Sequence, residues 1–508
     1  MLISLYSAGV TGIEGFPITV ECNCRRALSS LDIVGLPDTV VKESIHRIEA
    51  AITNSGYEFP DAEIILNLAP ADRQKEGSAL DAALITAILC GGGAFTPSEK
   101  LSDTCIIGEL SLSGKLRPVK GVLCMILAAK DAGISYAIVP AENAAEAAVV
   151  EGITVYSAED VHGIVAHFSG KRELPLAEYD YNKVRNSSVT VHDMANVKGQ
   201  LAARRALEIA AAGAHNLLFI GPPGSGKSML SKCLPSILPE MSFSEAVESA
   251  RVYSAAGLID HNDPLPSVRP FRSPHHTMSA ASLAGGGKVP MPGEISLAHN
   301  GVLFLDEFPE FNKMVMESLR QPIEDGTILI TRAAGKAQFP ANFMLVCAMN
   351  PCKCGYFGSD VRKCTCKLAD IQKYLSRISG PLLDRIDIQV EMPALSFEEL
   401  SVKEPSEPSS VVRERVKTAM EFAVKRQGNI RNSKLDSARI KEFCAPDAAG
   451  LAVIKTAFDK MGMSARAYDR ILRVARTIAD LAGSENIQAG HIAEAVQLRS
   501  LDRKYWER

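Results

Sequence analysis

The sequence predicts an α/β protein centred on a parallel sheet, with a mixed α+β unit ahead of it and a helical unit behind it. Three observations carry this. Residues 216–220 (NLLFI) are continuously apolar, as a strand buried on both faces is, and run straight into a glycine-rich turn and a helix start at 229–234. Two further apolar runs, 302–305 and 343–349, end in the polar residues Asp306-Glu307 and Asn350. Beyond residue 396, apolar residues recur at the helical period in 411–427, 447–461, 466–481 and 489–498.

The chain has 508 residues, 46% of them apolar, and a net charge of −4. That length predicts two to four domains, and that charge leaves any nucleic-acid surface to a local patch. No apolar run is long enough to span a bilayer, and residues 1–6 lack the basic-then-apolar layout of a signal peptide, which predicts a cytoplasmic location. The 12 cysteines of such a chain point to reduced thiols or metal ligands, not to a disulfide frame.

In chain order, residues 1–170 form the α+β unit. Strands are predicted at 18–22, 31–35, 62–68 and 136–140, and helices at 39–55, 81–89 and 121–132. Residues 171–190 are polar and aperiodic and read as a linker. The core spans 191–395 and the helical unit 396–508, the latter entered through a polar loop at 405–410.

The chemistry concentrates at Gly221, Pro222, Pro223, Gly224, Ser225, Gly226, Lys227 and Ser228. This G-x-x-x-x-G-K-S pattern between strand and helix is a P-loop. Its backbone N–H groups curl around phosphates, a helix N-terminus adds partial positive charge, Lys227 adds a full one, and the Ser228 hydroxyl suits Mg²⁺. Downstream, Asp306 and Glu307 close an apolar strand. Asp306 is placed to hold Mg²⁺ through water, Glu307 to orient and polarise the attacking water.

Two family resemblances follow. Residues 108–114 (GELSLSG), 119–121 (VKG), 133–134 and 139–143 (VPAEN) resemble the proteolytic domain of Lon proteases. The Lon serine position falls on Ala79 and the lysine position on Met125, with Ser78 one place early, so a protease-like fold without its chemistry is expected. Residues 269–277 (RPFRSPHHT), 292–301 (PGEISLAHNG), 319–326 (LRQPIEDG) and 379–387 (SGPLLDRID) resemble magnesium-chelatase-like AAA+ ATPases of the YifB/ComM type across nearly the whole chain. The resemblance implies a P-loop AAA+ core with a helical lid, hexameric rings and DNA branch-migration motors. It implies Asn350 as the γ-phosphate sensor and Arg385 as an arginine finger given to a neighbour. The residues alone also allow Arg385 an ion pair with Asp384 or Asp387. Arg466 opens a helix at the sensor-2 position, with Arg470 and Arg473 as rivals on nearly the same face.

Residues 327–339 read as a β-hairpin. In related ring helicases such hairpins point into the pore, where Arg332 and Lys336 would meet phosphates; a solvated turn is the alternative. His275 and His276 read as structural, since no cysteine or carboxylate stands at ligand spacing beside them. Cys352, Cys354, Cys364 and Cys366 flank a basic loop and read as a structural zinc site, with C-x-C spacing in place of the usual C-x₂-C, or else as four surface thiols. The function expected is an ATP hydrolase moving DNA, with remodelling of a protein partner as the alternative.

Overall fold

The computed structural model describes residues 1–181, 192–332, 335–359, 362–401, 404, 406–461 and 464–506. Part of the expected linker (182–190), the hairpin tip residues 333–334 and residue 405 of the polar loop lie outside them.

The first unit is a seven-stranded mixed sheet. In sequence its strands are β1 (Leu2–Thr11), β2 (Glu14–Arg25), β3 (Ser30–Val34), β4 (Glu63–Ala69), β5 (Thr104–Ile106), β8 (Tyr136–Pro140) and β9 (Thr154–Ala158), and in space they run β3-β4-β2-β1-β5-β8-β9. A small ribbon, β6 (Glu109–Leu110) with β7 (Leu116–Arg117), stands apart. The helix Asp81–Gly91 is apolar all round and is buried over Asp81–Cys90, packed on β1 and β2. Ala79 and Met125, the positions of the Lon serine and lysine, are both buried in one apolar cluster. Ser78 Oγ instead donates to the Glu109 carboxylate, and Lys75 Nζ is spent on the carbonyls of Pro70 and Arg73.

The second sheet is wholly parallel: β10 (Leu217–Ile220), β11 (Phe271–Arg272), β14 (Val302–Leu305), β17 (Met344–Met349) and β18 (Ile388–Glu391), in the order β11-β14-β17-β10-β18. Three of these strands, β10, β14 and β17, are buried at every residue, which is why they read as unbroken apolar runs. Two antiparallel ribbons project from this core: β12 (Gly285–Gly286) with β13 (Met291–Pro292), and β15 (Thr327–Arg332) with β16 (Gly335–Pro340). The helices Ser409–Gln427, Ala448–Met461, Ala465–Leu481 and Ala489–Gln497 form the bundle behind it. Among the described residues no helix is long and apolar enough to cross a membrane.

The two sheets are tied together. Gly121 N–H donates to the Ser254 carbonyl (3.0 Å), closing the helix Phe243–Ala256, while buried Glu146 accepts from Ser254 Oγ at 2.5 Å. Ile13, at the β1–β2 turn, packs with Ile330, Ala337 and Phe339 of the β15–β16 ribbon. The first part of the expected linker is a strap. Ala177 N–H donates to the Val155 carbonyl (2.9 Å), Tyr179 OH to Asp263 (3.2 Å), and the Tyr181 ring meets Phe243 edge-on. Its polar composition hides these few aromatic anchors.

Candidate nucleotide site

Strand β10 delivers the P-loop at the carboxyl end of the parallel sheet, where loops converge and ligands bind. Gly224 and Gly226 have φ of 79° and 90°, a left-handed backbone open to glycine and strained for other residues. Lys227 is buried, and its ammonium donates to the carbonyls of Gly221 and Pro222 (2.8 Å each) and to Asn350 Oδ1 (3.2 Å). Burial pulls its pKa down to about 8, against the opposing pull of Asp306. Gln200, itself at φ 53°, donates to the Ser225 carbonyl (3.1 Å) and the Pro393 carbonyl (2.7 Å), pinning the loop to the chain beyond β18.

Across from the loop, Ser228 Oγ donates to Asp306 Oδ2 at 2.5 Å. A hydroxyl and a carboxylate this close, facing the P-loop, are the oxygen donors that Mg²⁺ favours. The other Asp306 oxygen accepts the Glu307 N–H (2.9 Å). Glu307 sits at φ 52°, a conformation costing about 1–3 kcal/mol. Its carboxylate is half-exposed and lies 3.1 Å from His276 Nδ1. The imidazole is packed against His275 and edge-on to Phe311. His276 reaches Glu307 because Arg272 pairs with Leu303 in the β11–β14 ladder, which brings the ends of both strands together.

Arg385 stands elsewhere. It precedes β18, whose Ile388 is level with Leu217 and whose Glu391 is level with Ile220. Four residues of strand, about 13 Å, therefore lie between it and the P-loop of its own chain. Its guanidinium pairs with Glu324 and donates to the Pro381 carbonyl (2.6 Å). This differs from the Asp384 or Asp387 pairing that the sequence allowed. Asp387 is instead held by Asn216 N–H (3.1 Å), His215 (3.5 Å) and Arg470 (3.8 Å). Burial raises its carboxyl, but His215, Arg470 and the Asn216 N–H outweigh burial and hold it at about 2. Arg385, Arg470 and Arg473 line one cavity of about 310 Å³. Among the described residues, Arg385 Nε, Arg470 Nη1 and Arg473 Nε are buried there without a hydrogen-bond partner. Arg466 is exposed, one turn nearer the start of the same helix.

On the β15–β16 ribbon, Thr331 faces Lys336 and Arg332 faces Gly335. By strand alternation the two basic side chains belong to opposite faces. Arg332 is on the face of Ile330, next to Gly286 of the other ribbon, and Lys336 is on the face of exposed Leu329. The four cysteine sulfurs Cys352, Cys354, Cys364 and Cys366 all lie within 4.8 Å of one another. Sequence reasoning missed His276 and Gln200. The signal for His276 was its neighbourhood, four residues beyond the edge strand β11.

Residues 193–400 match the family model described as magnesium chelatase, subunit ChlI; 20–143 match that of subunit ChlI of Mg-chelatase, and 406–499 that of its C-terminal region. The chain is 41% identical over 500 residues to the protein YifB of Escherichia coli, covering 98% of this chain and 97% of that one. It is 41% identical over 507 residues to the competence protein ComM of Haemophilus influenzae, covering 99% and 98%. A Lon protease of Trichlorobacter lovleyi is 29% identical over 140 residues, 26% of this chain and 17% of that protein.

Proposed function

Because the chain belongs to the magnesium-chelatase-like AAA+ family that includes YifB and ComM, we propose that it is an ATP hydrolase that works as a hexameric ring and moves DNA, in branch migration during recombination or natural transformation. The separation of Arg385, Arg470 and Arg473 from the P-loop carries the reading. Each chain holds a phosphate cradle at one end of its sheet and, at the other, guanidinium groups that each keep one buried nitrogen without a partner, so two chains docked head to tail assemble one complete site.

In that site the P-loop N–H groups and Lys227 bind the phosphates. Ser228 and Asp306 would hold Mg²⁺, which supplies charge neutralisation on the phosphate oxygens. Glu307 orients the water and accepts its proton, and Asn350 fixes Lys227 and the γ-phosphate end. Arg385 from the neighbour stabilises charge on the transferred group, with Arg470 and Arg473, not Arg466, beside it. Lys336 meets DNA from the open face of the β15–β16 ribbon, and exposed Arg332 meets it from beside the tip. The protease-like unit does no proteolysis, since Ala79 and Met125 leave neither nucleophile nor base.

A second reading, remodelling of a protein partner, is favoured by Leu329, which is 57% exposed on the same ribbon face as Lys336. ATP turnover with and without branched DNA, for the wild type and for Arg332→Ala/Lys336→Ala, separates the two. DNA stimulation that the double variant loses supports the motor; no stimulation of the wild type refutes it.

A further inference from the structure

The cysteine cluster is built against the nucleotide site. We propose that Cys352, Cys354, Cys364 and Cys366 hold one divalent metal ion of the zinc class, and that the metal-held loop braces the P-loop in its binding shape. The second half rests on Gly221–Ser228 being the nucleotide site.

The sulfurs have the spacing of a shared ion. Cys352 and Cys354 are 3.3 Å apart, Cys354 and Cys364 3.5 Å, and Cys352 and Cys364 3.7 Å. Four thiolates placed tetrahedrally about zinc at 2.3 Å stand about 3.8 Å from one another. All 12 cysteines are free thiols, so no disulfide accounts for the cluster. Four sulfur donors without a carboxylate exclude Mg²⁺ and Ca²⁺ as occupants and select a soft tetrahedral ion. The connecting segment has no helix or strand among its described residues. A cross-link at its two ends adds to the few contacts that fix the shape of its described residues.

That shape meets the P-loop twice. Asn350, two residues before Cys352, accepts from Lys227 Nζ. Gly355, one residue after Cys354, has φ 87° and lies so near the loop that a Cβ there would stand 2.5 Å from Pro223 Cδ. The far side of the segment is walled by a short helix, Leu501–Tyr505. The Phe357 ring packs on Tyr505, whose hydroxyl donates to Glu391 at 2.8 Å, and Lys504 adds an ion pair to Glu391 at 2.6 Å. Glu391 is level with Ile220, the residue before Gly221. The cysteine loop is thus wedged between the P-loop and a fixed wall. Without the metal the wedge loses its cross-link, and Pro223 and Lys227 lose their support.

Metal analysis of the full-length protein, purified without chelator, is expected to find about one zinc per chain. The Cys364→Ser/Cys366→Ser variant is expected to lose it and to bind a fluorescent ATP analogue about tenfold more weakly, the scale of effects from lost outer support. Gly355→Ala keeps the metal and also weakens the analogue. Should the serine variant not fold, stripping zinc from the wild type with a chelator and restoring it decides, with analogue affinity falling and returning. Wild type without metal, or iron in its place, overturns the site. Metal loss with unchanged analogue affinity overturns the brace. Failure of the P-loop reading shows differently, as wild type that binds metal and no analogue.

Discussion

Arg385→Ala is expected to spare nucleotide binding and abolish turnover. The guanidinium lies about 13 Å of strand from its own P-loop, so removing it leaves every phosphate contact of the chain in place. Its local cost is small. The Arg385 side chain is 10% exposed, but its Glu324 partner is 59% exposed, and a pair screened on that side contributes about 1 kcal/mol. A finger supplied by a neighbour is worth about 10³-fold or more in rate, or about 4 kcal/mol at 1.36 kcal/mol per decade. The two magnitudes separate a structural arginine from a catalytic one. A coupled ATPase assay alongside analogue binding reads both. A mixing experiment then tests the ring. Lys227→Ala chains lack the cradle but carry Arg385, and Arg385→Ala chains carry the cradle. In an equal mixture about one interface in four joins an intact cradle to an intact finger, so up to about a quarter of wild-type turnover should return. Wild-type turnover by Arg385→Ala alone, or a mixture that stays inactive, would refute head-to-tail sharing.

Three further outcomes are expected. His276→Ala frees the Glu307 carboxylate and should raise ATP turnover; turnover equal to that of the wild type would show that the His276 contact does not restrain Glu307. Lys227 must be charged to hold phosphate, and its free pKa of about 8 means that affinity is intact at pH 7 and falls above pH 8. Analogue binding should weaken about tenfold by pH 9; equal affinity at pH 7 and pH 9 would contradict this. Asp387 is depressed from 3.8 to about 2, so its stabilisation is present above pH 4 and lost as pH falls towards 2. That depression is worth about 2 kcal/mol, and Asp387→Asn should lower the melting temperature at pH 7 while flattening its fall in acid. A variant that melts like the wild type at both pH values would contradict this.

The parts of the fold and site that were legible in the sequence are those whose physics is local. A P-loop needs a buried strand, glycines and a helix start within a dozen residues, and Asp306 and Asn350 each end an unbroken apolar strand. What the sequence hides depends on pairing at a distance. In β1 the alternation of Ile3 and Leu5 breaks at Ser7, a polar residue buried because its hydroxyl donates to the Ile106 carbonyl (2.7 Å). His276 is joined to Glu307 only by the β11–β14 ladder. Arg466, Arg470 and Arg473 share a helical stripe, so spacing ranks them equally. The docking of that helix puts Arg470 and Arg473 on the cavity with Arg385 and leaves Arg466 exposed.

The parity of the β15–β16 ribbon is the sharpest case. Arg332 and Lys336 look equivalent at a turn, yet a period of two puts them on opposite faces. The face of Arg332 is also that of Ile330, Ala337 and Phe339, which Ile13 covers. The protease-like unit therefore takes one face of the ribbon and leaves the other, with Lys336 and Leu329, to solvent or substrate. A unit with Ala79 and Met125 where the resemblance to Lon expects a serine and a lysine still has a physical reason to keep its shape. Its β1–β2 turn fixes which side of the ribbon stays uncovered.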